Sequence, residues 1–213
     1  MTLVSQDALI AGAIANKVVS FPTDTVPALA VRPENSELIF TIKERSVDKP
    51  LILMAASWSD LQSYVIGTPT EWEIWQQVVQ QHLPGSLTLV LPASASVPAA
   101  MNPSNPTTIG VRIPNCDLAL GILSQTGALA TTSANRSGES PLRTTTAVEA
   151  EFPNVLALDQ RSQQARSSYG GVICDSTLPE MAEKQGSGVP STVAKWTGAG
   201  WEILRQGGVQ LNS

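Results

Sequence analysis

Leu51-Ile52-Leu53-Met54 is apolar at every position, and this run constrains the fold more than any other stretch of the chain. A strand with one wet face alternates apolar and polar residues; a strand without alternation is covered on both faces. The run therefore predicts a sheet with structure packed on each side. The segments around it supply the covering layers. Ser5 to Asn16 reads as a helix with Ser5 at its N-cap, Asp7 in its first turn and a stripe of Leu9, Ile10, Ala13 and Ile14. Lys17 to Phe21 is a short β-branched strand stopped by Pro22, and Ala28 to Val31 resumes extended structure. Glu34 to Arg45 reads as a second helix with Leu38, Ile39 and Ile42 inward.

Further along, Ser57-Trp58-Ser59-Asp60 resembles a capping box, and Thr68-Pro69 opens a helix that carries Trp72, Trp75, Val78 and Val79 to about His82. Strands are expected at Ser86 to Leu91, Thr107 to Ile113, Gly127 to Thr131 and Val155 to Leu158, with helices at Cys116 to Gln125 and Thr144 to Ala150. Ser191 to Trp196 and Trp201 to Leu204 form a hairpin through Thr197-Gly198-Ala199-Gly200. Residues 92–106 read as a loop. Residues 160–188 show no regular pattern, which marks either a functional lid or a mobile loop. Strands and helices intermingle without a linker, so residues 1–213 are expected to form a single α/β domain around a mixed sheet.

The charge balance limits the function classes. Net charge is −5 over 213 residues, which argues against binding nucleic acid through bulk surface charge. Cys116 and Cys174 lack metal-ligand spacing and read as buried thiols of a reducing cytosol. His82 is the single histidine and sits at a predicted helix end, so a helix-dipole or capping role is preferred to catalysis. The N-terminus has no signal-peptide pattern and no apolar run reaches membrane-spanning length, so a cytoplasmic protein is expected. Nothing in the pattern speaks to oligomeric state.

The chemistry is carried by five segments. Lys43-Glu44-Arg45-Ser46-Val47-Asp48-Lys49 places three cations at the end of a helix, and Thr132-Ser133-Ala134-Asn135-Arg136-Ser137-Gly138 supplies hydroxyl and amide groups just after a strand. Cations with neutral donors suit a polyphosphate or nucleotide. Phe21-Pro22-Thr23-Asp24-Thr25-Val26, Thr108 to Pro114, and Ser191-Thr192-Val193 with Leu204-Arg205-Gln206-Gly207 add polar groups at strand mouths. Taken singly, Lys43 and Arg45 could be a solvated helix end, Arg112 a surface residue on an edge strand, Asp24 the cap of a turn, and Ser133 to Gly138 a plain turn.

In this order and spacing the segments resemble the YrdC-like family, the threonylcarbamoyl-AMP synthases of tRNA modification, over Val18 to Gly207. The Lys-x-Arg and Ser-x-Asn pair of Lys43, Arg45, Ser133 and Asn135 is that family's signature. The resemblance implies a twisted mixed sheet flanked by helices with a large concave cavity, in a short form without the further C-terminal domain of longer members. It implies condensation of L-threonine, bicarbonate and ATP into threonylcarbamoyl-adenylate and pyrophosphate, with Mg²⁺ held mainly by phosphates, and tRNA or tRNA-modification proteins as partners. By resemblance Lys43 and Arg45 are catalytic. Arg45, Lys49, Thr108, Ser133, Asn135 and Arg205 bind ATP, and Thr25, Arg112, Thr131 and Ser191 bind threonine. No protein-held metal is implied.

Three positions depart from the family pattern. Pro27 and Ala28 replace an aromatic and a glycine, and Met54 stands where many members have a histidine. These substitutions raise a second function: a YrdC-like paralogue that binds nucleotide or RNA in the cavity without making the adenylate. They also raise a third, adenylation with a different acceptor amino acid.

Overall fold

The computed structural model describes residues 2–46, 48–159 and 186–211. Among the described residues, ten strands and six α-helices follow one another. They are β1 (Leu3–Val4), α1 (Gln6–Ile14), β2 (Val19–Phe21), β3 (Ala28–Val31), α2 (Glu37–Lys43), β4 (Ile52–Met54), α3 (Trp58–Gln62) and α4 (Pro69–His82). There follow β5 (Leu87–Pro92), β6 (Thr108–Arg112), α5 (Asp117–Thr126), β7 (Leu129–Ser133), α6 (Thr145–Glu151), β8 (Leu156–Leu158), β9 (Thr192–Trp196) and β10 (Trp201–Arg205). All ten strands join one mixed sheet in the order β1-β8-β2-β3-β7-β4-β6-β5-β9-β10.

The sheet carries a core on each face. On one side Leu29, Val31, Leu51, Leu53 and Ala130 pack with Ile39 of α2, Leu61 of α3, Trp75, Val78 and Val79 of α4 and Val148 of α6. On the other, Val19, Phe21, Ala28, Ala30, Met54 and Leu129 pack with Leu9, Ile10 and Ala13 of α1 and Ala119, Ile122 and Leu123 of α5. The two helices on this second face cover only part of the sheet. Beyond them, β4, β6, β5 and β9 present alternate residues to an open cavity.

The helix ends follow their sequence signals. Ser5 Oγ accepts from Ala8 N–H at 3.3 Å, and Ser57 Oγ accepts from Asp60 N–H at 3.3 Å. Thr68 and Glu71 form a full capping box, with Thr68 N–H donating to Glu71 at 2.8 Å. The other carboxylate oxygen of Glu71 accepts from Trp196 Nε1–H at 2.8 Å, tying α4 to β9. The tryptophans form a chain of neighbouring rings: Trp58, Trp72, Trp75, Trp196 and Trp201, with centroids 5.2 to 6.4 Å apart. Rings in mutual contact of this kind act as packing residues.

Several expectations are corrected. Ile14 and Leu38 are exposed, at 49% and 37%, rather than inward. The second helix is α2 alone, preceded by a separate 3-10 turn at Pro33–Asn35 and ended at Lys43 by the left-handed Glu44. Inward positions there are Ile39, Phe40 and Lys43. Ile52 is half-buried, because one face of β4 meets a cavity rather than a helix. Cys116 is half-buried and donates weakly to Pro22 O at 3.7 Å; Cys174 lies outside the described residues. The short β1, paired in parallel with β8, has no signal long enough to predict. The lid or mobile-loop reading of 160–188 falls almost wholly outside the described residues.

Trp75 is fully buried between α4 and the sheet. Replacing it by alanine should cost about 3–5 kcal/mol of folding stability in chemical denaturation, the loss usual for a large core aromatic.

Candidate functional site

A cavity of about 580 Å³ opens on the uncovered half of the sheet. Strand alternation builds its floor. Thr131, Ile52, Gly110, Val90 and Lys195 are cross-strand neighbours in one row over β7, β4, β6, β5 and β9. Five strands at about 4.8 Å spacing make this row about 19 Å long. Thr88, Val193 and Arg205 lie in a second row over β5, β9 and β10.

Of the eleven residues singled out from the sequence, nine line this cavity: Thr25, Arg45, Thr108, Arg112, Thr131, Ser133, Asn135, Ser191 and Arg205. Lys43 and Lys49 do not. Lys49 is exposed; its backbone carbonyl accepts from Arg45 Nε–H at 3.1 Å and its backbone N–H donates to Ser46 O at 3.2 Å. Lys43 is 1% exposed behind the cavity wall. Its ammonium donates to Ser133 O and, at 3.4 Å, to Asn135 Oδ1. Lys43, expected to face the triphosphate, thus lies outside the cavity lining in this structure, bonded to residues that belong to it. The cause is local: Glu44 takes the left-handed conformation at the end of α2, with φ 50° and ψ 41°. This turns the chain so that Lys43 points inward while Arg45, two residues on, reaches the cavity.

Asn135 is engaged on every side. Its Nδ2 donates to Arg136 O at 2.7 Å and Glu139 O at 2.8 Å, while its Oδ1 accepts from Ser133 Oγ at 2.6 Å. It organises the turn after β7 as well as lining the cavity. Arg136 fixes that turn from outside through Glu151 at 2.5 Å and Glu44 at 3.4 Å, with its guanidinium over the Phe152 ring. Arg45 holds the 46–50 loop by donating to Lys49 O and to Pro50 O at 3.1 Å.

Arg112 is not on an edge strand: β6 lies between β4 and β5, and the residue is 5% exposed. It donates to Asp24 Oδ1 at 2.6 Å, Thr25 Oγ1 at 3.0 Å and Gly85 O at 3.2 Å. Asp24 is thus the partner of Arg112 and not merely a turn cap. A guanidinium has five N–H groups, so two are without a partner among the described residues. Burial is the main influence on its acidity and pulls its pKa down, against the charge of Asp24, which raises it. Thr23 secures the neighbouring turn by donating to Val26 O at 2.7 Å and accepting from Thr25 N–H at 3.2 Å. Gly186 crosses so close to Thr23 O and Thr25 O that a Cβ there would collide with both.

Arg205 donates twice to Ser191 O, at 3.0 and 2.8 Å, and to Ser191 Oγ at 3.2 Å; Ser191 Oγ also meets Thr88 Oγ1 at 2.9 Å. Thr131 Oγ1 donates to Ile52 O at 3.0 Å, and Thr108 Oγ1 accepts from Asn102 Nδ2–H at 3.3 Å. Ala28 sits in regular strand, paired with Phe21 and Ser133, so the glycine found there in the family pattern is not needed for this backbone. Pro27 O accepts from Ala134 N–H at 2.8 Å. The motif reading missed Lys195, Asp48 and Glu139 among the charged residues of the wall. The alternation of β9 would have put Lys195 on the face of Ser191.

Residues 14–207 match the Sua5/YciO/YrdC family model, described as telomere recombination. The chain belongs to this family. A Vibrio vulnificus relative named threonylcarbamoyl-AMP synthase is 35% identical over 146 residues, 67% of this chain and 77% of the relative. Among solved structures, one of P. abyssi Sua5 superposes with a TM-score of 0.78 at 30% identity, covering 97% of this chain and 57% of that one. Another, P. abyssi Sua5 complexed with L-threonine, gives 0.75 at 27%, covering 95% and 54%. The chain thus spans little more than half the length of those two Sua5 chains. Among the described residues, no helix is long and apolar enough to cross a membrane.

Burial, then the charges of Arg45 and Lys49, lower the Lys43 pKa from 10.5 to about 7. Unfolded, Lys43 keeps its proton to its ordinary value. Between about pH 7 and 10.5 the unfolded chain therefore binds more protons, and stability rises with pH in that window. Denaturation midpoints should show this rise, up to about 1.4 kcal/mol per pH unit, for the unaltered chain relative to Lys43→Met. Parallel curves for the two proteins would remove the assignment.

Proposed function

We propose that this chain is a threonylcarbamoyl-AMP synthase, joining L-threonine, bicarbonate and ATP to give threonylcarbamoyl-adenylate and pyrophosphate for tRNA modification. The observation that carries the reading is the convergence of Arg45, Ser133, Arg112, Thr25 and Arg205 on one cavity of about 580 Å³, a size suited to a nucleotide with a second small substrate. The name of the Vibrio vulnificus relative and the threonine complex of P. abyssi Sua5 support the same choice of substrates.

The reaction carries a carboxylate-like oxygen onto the α-phosphorus and expels pyrophosphate. Positioning and charge neutralisation do most of such work. Arg45 lines the same cavity as the Ser133 hydroxyl and suits the α-phosphate and its developing charge. Lys43 acts through Ser133 and Asn135 and is a positioning residue. Arg112 keeps two N–H groups for the threonine carboxylate, and Thr25 and Thr131 flank that end. Asp24 offsets part of the Arg112 charge, which keeps the pocket from binding a carboxylate too tightly to release it. Mg²⁺ enters with ATP, its coordination supplied by phosphate oxygens and water.

Pro27, Ala28 and Met54 favour a second reading, adenylation with another acceptor, because they line the cavity with apolar side chains where the family pattern has an aromatic, a glycine and a histidine. One assay separates the two. Purified protein with ATP, bicarbonate and Mg²⁺ should release pyrophosphate only when threonine is added, with serine and amino-acid-free controls near background. Release with a different amino acid selects the second reading, and no amino-acid-dependent release sinks both. Arg45→Ala should lower the threonine-dependent rate about 10²- to 10³-fold, the loss typical of one preorganised charge-stabilising donor.

A further inference from the structure

Lys195 lies outside every motif, yet its side chain lines the cavity from β9. Among the described residues four cations line that wall: Arg45, Arg112, Lys195 and Arg205. The three arginines are each anchored by hydrogen bonds to the protein. Lys195 has no hydrogen-bond or ion-pair partner among the described residues. Its cross-strand neighbour Glu202 is exposed, forms no ion pair with it and does not line the cavity. Lys195 is half-buried, and a cavity-lining lysine that no ion pair holds to the protein is free to meet an anionic ligand.

The charges along the cavity are uneven. Its carboxylates, Asp48 and Glu139, come from the segments that carry Arg45 and Asn135. No carboxylate lines the wall from β5, β9 or β10, where Lys195 and Arg205 stand. Val193 separates them by one register step: it pairs with Arg205 and precedes Lys195 by two residues on the same face of β9. The most densely charged part of a nucleotide gains most where cations are not offset by carboxylates.

We propose that Lys195, with Arg205, forms the subsite for the terminal phosphates of ATP and for the pyrophosphate they become. The proposal rests on the nucleotide-binding reading above and assigns an end of the cavity to each end of ATP. Arg205 is held by Ser191 and gives the subsite a fixed charge. Lys195, with three donors on a flexible stem, is the contact that distinguishes a triphosphate from a monophosphate.

Calorimetric titration of the unaltered chain, Lys195→Met and Lys195→Arg with ATP and with AMP, at one ionic strength and with Mg²⁺, tests this. Lys195→Met should weaken ATP about ten-fold and AMP less than about two-fold, as expected for one lost charged hydrogen bond. Lys195→Arg should stay within about three-fold of the unaltered chain for both. The retained AMP affinity shows that the variant is folded. Unchanged ATP affinity in Lys195→Met, or equal weakening of ATP and AMP, overturns the assignment while leaving the nucleotide reading intact. Failure of the unaltered chain to bind either nucleotide overturns the nucleotide reading, and this subsite with it.

Discussion

The buried guanidinium of Arg112 is the interaction on which the rest of the site depends. It joins β6 to the turn after β2 through Asp24 and Thr25, and to the segment before β5 through Gly85. Removing one partner of such a buried pair costs about 3–5 kcal/mol, because the other charge is stranded. The same turn receives residues 186–188, where Ser187 N–H donates to Asp24 O and Gly188 N–H to Thr25 O, each at 2.9 Å. One cation therefore sets the mouth of the cavity and the path of the chain into β9.

The cavity itself arises from incomplete coverage. Helices α1 and α5 bury one end of a sheet face, and the other end is left as the open cavity. Gly110 deepens the middle of this floor, since even a Cβ there would come within 3.3 Å of Thr88. The open half is lined by alternate residues of strands whose opposite sides are core. Leu53 is buried against α2, α3 and α4 while Ile52, next along the chain, forms part of the floor. Packing and binding are thus assigned to opposite faces of the same few residues.

Much of this was legible in the sequence. Caps at Ser5, Ser57 and Thr68, the stop at Pro22 and the hairpin at Thr197–Gly200 are local signals, and the elements they predict are present. What could not be read depends on geometry between distant residues. Glu44 carries a positive φ without being glycine, so nothing in its type announced that Lys43 would turn inward. Asp24 looked like a turn residue because its partner, Arg112, is 88 positions away. Lys195 belongs to no motif, and only the face of β9 that it shares with Ser191 and Val193 places it in the wall. Ile52 misled because apolar residues line a binding floor as readily as a core.

The chain of tryptophan rings has an optical consequence. All five tryptophans of the protein lie in one contiguous array, from Trp58 on α3 to Trp201 on β10. Rings this close exchange excitation before they emit, so the protein's near-ultraviolet fluorescence is one collective signal instead of five independent ones. Trp196 lies on the face of β9 opposite Ser191, Val193 and Lys195. The intrinsic emission is therefore wired to the back of the wall that faces the cavity, and the molecule carries its own spectroscopic reporter of events there.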